Sequence, residues 1–387
     1  MVMADLCQRV TEAFEQQFPG SAPRLFQAPG RVNLIGEHTD YNDGFVMPVA
    51  IDRHVILAAR ARQDGRVRLW SVDLNQAAEF SLDAILTDAD APWSNYVRGV
   101  ANVLQLEGFV LQGMDAAIAG NVPIGSGLSS SAAIEMASAL AFCALHSLEI
   151  PLDQLALLCQ RAENDFVGMR CGIMDPFIAA LGQPGHALWI DCRSLEYDPV
   201  PVPAEVSIVV CDTMKRRGLV DSEYNARRQE CQRGVELLQQ PFPGIRALRD
   251  VSSADLSRFG SLLPPVVRRR CMHVVSENER VTAAVDVLRE GSVTQFGRLM
   301  DESHASLRRD YEVSCLELDL MVELARQAPG CLGARMTGAG FGGCTVNWVS
   351  VGQTERFAGQ VSKQYLASTG VVPEVYICQA SGGAGEL

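Results

Sequence analysis

Lysine is nearly absent from this chain of 387 residues: of its 33 basic residues, only Lys215 and Lys363 are lysines. A phosphate-binding loop of the Walker type requires a lysine after its glycines, so that kind of site is nearly excluded. Positive charge is also short overall, since 46 acidic residues leave a net charge of −13. A nucleic-acid-binding protein is expected to carry a basic stripe, and the acidic balance argues against that class.

Three further signals are missing. The chain has no Cys-x-x-Cys pair, no Asn-x-Ser/Thr sequon, and no apolar run that could span a membrane, because even 131–150 carries Glu135 and His146. Residues 1–20 alternate charged and apolar side chains, unlike a signal peptide. The twelve cysteines are therefore interpreted as small apolar residues. We predict a cytoplasmic protein that binds neither membranes nor nucleic acid.

The composition is that of a globular protein, with 48% hydrophobic and 20% charged residues, and the length suits two domains. A proline-rich stretch at 199–203 is the candidate boundary, giving domains 1–198 and 204–387, and the glycine-rich end at 382–387 is expected to fray. Helical and strand patterns in both halves predict an α+β fold. Predicted strands are 31–35, 45–60, 67–72, 187–192, 206–211, 334–337, 344–349 and 374–379, and the segment 114–122 leads into a glycine-serine loop. Predicted helices are 131–148, 152–167, 222–239, 266–289, 294–308 and 354–368.

A glycine-serine loop at 123–133 carries the strongest local chemistry. Gly125 and Gly127 permit backbone conformations that a Cβ would block, and the serines at 129–131 precede a helix whose N-terminus attracts anions. Phosphate binding and a plain serine-capped helix start are about equally favoured by the loop alone. Because no lysine is nearby, a nucleotide there would need Mg²⁺, for which Glu163 is a candidate carboxylate. The alternative for Glu163 is a solvated helix residue.

The segment 29–44 is dense in groups that bind hydroxyls. Glu37, His38 and Asp40 arrive almost together, and fixed carboxylates suit the hydrogen bonds of a polyol. A polar turn built on residues 42–44 is the alternative, although it does not need the acidic residues before it.

Asp175 and a third glycine-rich segment complete the candidates. Asp175 followed by Pro176 is typical of a helix N-cap, and from sequence alone that interpretation is favoured. A catalytic Asp175 would need a cation such as Arg31 to keep it ionised beside an alcohol. Four glycines within 335–344 indicate either a close approach to another loop or a hairpin turn.

Taken together, these segments resemble the galactokinases of the GHMP small-molecule kinase family. The similarity rests on 30–42, with its Glu-His-Thr-Asp-Tyr run, on 123–133 and on 335–344, with 171–175 and 222–228 matching between them. The resemblance implies a two-domain GHMP kinase fold: an N-terminal mixed-sheet domain, a C-terminal α+β domain, and an active site in the cleft between them. It also implies ATP- and Mg²⁺-dependent phosphorylation of the C1 hydroxyl of α-D-galactose, the first step of galactose metabolism.

Roles are carried over by motif position. The resemblance implies a small-molecule sugar substrate and no obligate protein partner. Alternatives are a non-catalytic sensor of galactose and ATP, disfavoured by the Ser131-Ala132 pair, and a kinase for N-acetylgalactosamine or arabinose. The implied catalytic residues are Asp175 and Arg31; the sugar ligands Glu37, His38, Thr39, Asp40, Gly172, Asp175 and Tyr224; the ATP ligands Gly125, Ser126, Gly127, Leu128, Ser129, Ser130 and Ser131; and the Mg²⁺ ligands Ser131 and Glu163.

Overall fold

The computed structural model describes residues 3–123, 125–169, 171–216 and 220–387. Its strands are β1 (Arg24–Ile35), β2 (Phe45–Ala61), β3 (Arg66–Ser71), β4 (Gln76–Ser81), β5 (Met114–Gly120), β6 (His186–Asp191), β7 (Tyr197–Pro201), β8 (Val206–Asp212), β9 (Cys331–Met336), β10 (Cys344–Ser350), β11 (Glu374–Cys378) and β12 (Gly385–Glu386). Its helices are α1 (Met3–Gln17), α2 (Asn95–Leu106), α3 (Ser130–His146), α4 (Leu152–Arg161), α5 (Met174–Leu181), α6 (Val220–Leu238), α7 (Ser253–Phe259), α8 (Pro265–Arg289), α9 (Val293–Ser306), α10 (Leu316–Gln327) and α11 (Thr354–Thr369).

The first sheet has the strand order β12-β1-β2-β5-β3-β4, and β6 and β7 extend it from β2. It is mixed, as predicted, because β3 and β5 run parallel while the other pairs are antiparallel. The expectation that 382–387 frays is wrong. Glu386 pairs with Phe26 at the edge of β1, and Gly383 donates a backbone hydrogen bond to the Gly182 carbonyl at 2.7 Å.

Helices cover both faces of this sheet. α3 is alanine-rich and buried nearly all round, and together with α2 and α5 it forms the main core with β1 and β2. α1 lies on the opposite face, where its apolar residues recur one helical turn apart and pack against β2 and β5. These buried residues of α1 are Leu6, Val10 and Phe14. The core thus holds the end of β1 and the start of β2 in place, and the polar segment connects these two points.

The second sheet is antiparallel, with the order β11-β8-β10-β9. α10 and α11 bury an apolar face against it, and α9 crosses β9 where Gly297 and Gly333 meet with no room for a Cβ on either backbone. α8 contacts β1, β2 and β7 of the first sheet as well as α6 and α9. This helix therefore joins the two halves of the molecule behind the polar segment of β1.

The proline-rich stretch 199–203 overlaps an edge strand, since β7 pairs only with β6. Proline is tolerated there because an edge strand leaves one row of N–H positions unpaired. The main core also extends across this point into Val206 and Ile208 of β8. The α+β class is confirmed, and the exact domain limits stay a prediction.

Within the described residues, no helix has both the length and the apolarity needed to cross a bilayer.

Candidate active site

The glycine-serine loop leads from β5 into α3, and its described part is 123 and 125–133. Gly125 and Gly127 have positive φ angles of 73° and 89°, and Ser129 is also left-handed at 59°. The side chain of Ser129 does not cap α3, so the interpretation of a serine-capped helix start is wrong. Its hydroxyl instead donates to Asp175, which leaves the first-turn N–H groups without a side-chain cap. Backbone N–H groups at a helix start that lack a side-chain acceptor can donate hydrogen bonds to an anion.

The other side chains of the loop divide into inward and outward groups. Leu128 is fully buried, and its carbonyl accepts a hydrogen bond from the backbone of Arg31 at 3.0 Å. Ser126 is also buried and donates to the Pro123 carbonyl at 2.8 Å. These two residues therefore shape the loop, whereas Ser130 and Ser131 remain partly exposed at the start of α3.

Arg31 and Asp175 form a two-pronged ion pair beneath the loop. Arg31 Nε donates to Asp175 Oδ1 at 2.6 Å, a second guanidinium nitrogen binds Oδ2, and the third donates to the Gly127 carbonyl at 2.5 Å. Burial would lower the pKa of Arg31, but Asp175, followed by other nearby carboxylates, outweighs it and raises that pKa. Asp175 is the second residue of α5, which begins without a side-chain cap. The N-cap interpretation of Asp175 is therefore wrong.

The polar segment turns sharply after β1. Gly36 has φ 96°, and a Cβ there would lie 2.6 Å from the Phe45 carbonyl. Thr39 is fully buried, and its hydroxyl lies 2.8 Å from the Gly36 carbonyl and 2.6 Å from the Phe45 carbonyl. Its side chain therefore fixes the turn.

Asp40 lies partly exposed at the tip of this turn. Burial and the nearby Asp175 carboxylate raise the pKa of Asp40 to about 6. Gly172 lies directly against it, since a Cβ at 172 would overlap the Asp40 carboxylate. The three predicted sugar ligands Asp40, Gly172 and Asp175 are thus brought close together from two distant segments.

An aromatic cluster forms the wall next to Asp40. His38 Nδ1 is 2.8 Å from the Tyr41 hydroxyl, which is 2.8 Å from the hydroxyl of Tyr311. The ring of Tyr224 on α6 lies 5.1 Å from that of Tyr41 and 5.8 Å from that of His38. Burial lowers the pKa of His38 well below its usual range, so this imidazole is neutral. Sequence reasoning missed Tyr311, which lies in the π-helical turn Leu307–Tyr311, just after the helix predicted at 294–308.

Glu37 connects the turn to the third glycine-rich segment. Its Oε1 accepts the backbone N–H of Gly338 at 2.7 Å, and the Thr337 hydroxyl lies 3.1 Å from the same atom. Asn33 Nδ2 donates to Oε2 at 3.0 Å. The close approach of 335–344 to another loop is thus confirmed. The alternative, a hairpin turn, describes the pairing of β9 with β10 on either side of the segment but does not account for the contact with Glu37.

Three comparisons with known proteins agree with this geometry. The chain matches the galactokinase galactose-binding signature at 12–61, the GHMP kinase N-terminal domain at 95–183 and the GHMP kinase C-terminal domain at 284–365. It is 51% identical to the galactokinase of Chloroflexus aggregans over 96% of this chain and 95% of that protein. It is 50% identical to that of Roseiflexus sp. over 97% and 96%. The chain belongs to the galactokinase family.

The fold agrees with that membership. The structure of Lactococcus lactis galactokinase complexed with galactose has a TM-score of 0.93 and 37% identity, covering 97% of this chain and 98% of that one. Mevalonate kinase from Methanococcus jannaschii, at 19% identity and a TM-score of 0.66 over 94% of this chain and 100% of that one, shares the two-domain GHMP kinase fold. As a galactokinase-family protein, the chain is an ATP-using kinase that transfers phosphate to an alcohol of a sugar.

The family also directs attention to the acidic residues behind the loop. Glu163 lies in the π-helical turn Ala162–Val167, is 3% exposed, and has the Ser131 and Cys171 side chains near its carboxyl group. Burial, with the Asp175 charge, raises the pKa of Glu163. Glu135 on α3 is fully buried, and neither of its carboxyl oxygens is hydrogen-bonded to any residue that the structure describes. Burial together with Glu163 raises its pKa well above the usual range.

Two adjacent buried carboxyl groups beside a hydroxyl fit a cation, because a positive charge would offset their mutual repulsion. No three His, Cys, Asp or Glu side chains among the described residues come close enough to enclose a metal. A cation held by Ser131 and Glu163 would therefore need further oxygens from its phosphates, which is how Mg²⁺ is usually bound.

Proposed function

We propose that this chain phosphorylates the C1 hydroxyl of α-D-galactose with Mg²⁺-bound ATP, giving galactose 1-phosphate and ADP. One observation carries the proposal: the carboxylate of Asp175 bonds to Arg31 and to Ser129 of the glycine-serine loop, and it lies near enough to Asp40 of the sugar segment to raise the pKa of Asp40. A single carboxylate thus joins the phosphate-binding side and the hydroxyl-binding side of the site. The high identity to galactokinases over nearly the whole chain supports galactose as the sugar.

Asp175 would take the proton of the attacking hydroxyl. A carboxylate is a weak base. That weakness is tolerable in phosphoryl transfer, because in a loose transition state the alcohol proton leaves late. Arg31, which shares its guanidinium between Asp175 and the Gly127 carbonyl, would place positive charge next to the transferred group.

The remaining sugar hydroxyls would be held by the turn after β1. Asp40 and Glu37 would accept hydrogen bonds from them, Gly172 keeps space open beside Asp40, and Tyr224 closes the wall. The ring of His38 is neutral and its Nδ1 faces Tyr41, so its predicted contact would involve Nε2 or the backbone. Thr39 would act by fixing the turn.

The loop 125–131 would bind the phosphates of ATP through the uncapped start of α3. Mg²⁺ held by Ser131 and Glu163 would supply positive charge to the β- and γ-phosphates. Replacing Ser131 by Ala should raise the Mg²⁺ concentration needed for half-maximal rate while leaving galactose binding unchanged. An unchanged Mg²⁺ dependence would contradict this assignment.

The deciding experiment measures ADP release with galactose, ATP and Mg²⁺ for the wild-type chain and for Asp175→Asn. We expect the variant to lose roughly 10²–10⁴-fold in kcat, the usual contribution of a positioned general base. Asp88→Asn is the matched control, because Asp88 pairs with Arg98 at 2.9 Å in another part of the domain. Galactose binding without turnover by the wild-type chain would favour the sensor, and turnover of N-acetylgalactosamine or arabinose in preference to galactose would correct the substrate.

We also propose that the protein acts in the cytoplasm. All twelve cysteines are free and most are buried, which suits a reducing compartment. That it needs no protein partner stays a prediction.

A further inference from the structure

Arg335 on β9 is an arginine with no exposed surface at all. Its Nη1 donates to the Asn33 carbonyl at 3.2 Å, and its Nη2 lies 3.6 Å from Glu37 Oε1. Nε and Nη2 make no hydrogen bond within the described residues. A buried N–H without an acceptor costs about 1–3 kcal/mol, so this arrangement is a poor way to gain stability. Such a cost calls for a role other than packing.

The guanidinium faces the turn that carries the sugar ligands. Glu37 is 3% exposed and receives donors from Gly338 and Thr337 of the same segment as Arg335. All of these donors converge on Oε1. Within the part of the chain that the structure describes, Oε2 is bonded only to Asn33, which leaves one of its lone pairs open for a further donor.

A second buried carboxylate holds the turn from the other side. Glu277 on α8 accepts the backbone N–H of Gly36 at 2.9 Å and the Ser303 hydroxyl at 2.6 Å, and it pairs with Arg280 at 2.7 Å. Burial would raise the pKa of Glu277, but Arg280 and then the nearby His273 and Arg335 lower it to about 2. Glu277 is thus ionised, and its charge is paired with that of Arg280. Among the described residues, Arg335 is the cation that lies within 4 Å of the Glu37 carboxylate.

We propose that Arg335 is a positioning residue for the sugar. It fixes the Glu37 carboxylate so that Oε2 presents one acceptor to a hydroxyl that must donate. This inference rests on the proposed function, since it names the group that prepares one of its sugar ligands. Arg335 itself need not touch the sugar.

A double-mutant cycle on galactose binding tests the proposal. The dissociation constant for galactose is measured by calorimetry without ATP for the wild type, Arg335→Met, Glu37→Gln and the double variant. Alone, Arg335→Met should weaken binding by roughly tenfold, the loss expected for a charge-assisted contact. In the Glu37→Gln background the same change should cost less than about twofold, because the group through which Arg335 acts is already neutral. Equal losses in both backgrounds would overturn the proposal.

Two controls separate positioning from a general loss of structure. Arg98→Met removes another buried arginine, 5% exposed and bonded to Asp88, and should leave the galactose affinity unchanged. The KM for ATP should also stay unchanged in Arg335→Met, and a parallel rise in both KM values would count against the proposal. If Arg335→Met does not fold, the cycle is run with Arg335→Lys, which keeps the positive charge but loses the planar guanidinium with its paired donors. The proposal then again requires a smaller loss of galactose affinity in the Glu37→Gln background than in the wild type.

Failure of the proposed function gives a different result. A wild-type chain that neither binds nor phosphorylates galactose refutes the function, and this inference with it. A wild-type chain that binds galactose but shows an additive cycle refutes only the role of Arg335.

Discussion

Replacing Asp40 by Asn should make the sugar-free protein more stable while weakening its binding of galactose. Asp40 is predicted to hold a sugar hydroxyl, yet its own surroundings disfavour its charge. Burial, then the carboxylate of Asp175, raise its pKa from 3.8 to about 6, although the Tyr41 backbone N–H and the Arg228 guanidinium act in the opposite direction. An asparagine of the same shape would remove the charge and leave the turn in place.

The size of the effect follows from the pKa. A carboxyl group with a folded-state pKa near 6 and an unfolded-state pKa of 3.8 costs the folded protein up to roughly 3 kcal/mol when it is ionised at pH 7. Because Asp40 is partly exposed, that figure is an upper limit. The folded state binds the proton more tightly, so the cost is fully present above pH 6 and disappears as the pH falls below 3.8.

Urea unfolding of both proteins at pH 7 and pH 5, without sugar, checks the reasoning. The variant should be the more stable protein at pH 7, and its advantage should fall to about half at pH 5. Calorimetry with galactose should show weaker binding by the variant. A variant that is less stable at pH 7, or whose advantage does not change with pH, would refute the argument that Asp40 is held in an unfavourable charged state.

Two other predictions concern the site and the scaffold. Gly172→Ala should raise the KM for galactose by roughly ten- to a hundredfold and leave that for ATP unchanged, because the new Cβ would displace the Asp40 carboxylate; equal sugar kinetics in both proteins would contradict this. Asp115→Asn should lower the free energy of unfolding by about 3 kcal/mol without changing kcat, because Asp115 is 2% exposed and bonds three arginine side chains, Arg68 at 2.7 Å among them. Burial alone would raise the pKa of Asp115, but its bonds to the arginines lower that pKa. The stabilisation should therefore be lost only as the pH falls below 3.8. An unfolding free energy of the variant equal to that of the wild type would contradict this role of Asp115.

Most regular elements could be predicted because their signals are local. The strand expected at 45–60 is observed as Phe45–Ala61, and the helix at 266–289 as Pro265–Arg289. α1 and α2 were missed although each has a periodic apolar face; in α2 it includes Val97, Val100 and Leu104. Those signals were available in the sequence. The tail at 382–387 was not predictable, because its partner β1 lies more than 350 residues away.

The candidate site shows the same division. The residue types and the spacing within each motif pointed to phosphate and to hydroxyls, but the motifs alone gave no reason to prefer Asp175 as a base over Asp175 as a cap. Its partner Arg31 lies 144 residues earlier, and only the packing of α5 against β1 brings the two together. Arg335 gave no local signal, since its meaning depends on Glu37, which is brought to it by the contact between two sheets.

The pairing of β12 with β1 also constrains how the protein is made. Ribosomes deliver Arg24–Ile35 long before Gly385–Glu386, so the edge of β1 that pairs with β12 stays unpaired during that interval. During that time β1 presents unpaired backbone groups to any extended chain nearby, which is a recognised route to aggregation. This edge of β1 is covered only when Arg24 forms its ion pair with Glu386 at 2.7 Å and the Leu387 N–H donates to the Leu25 carbonyl at 3.0 Å. Production of the N-terminal half by itself should therefore give a poorly soluble fragment.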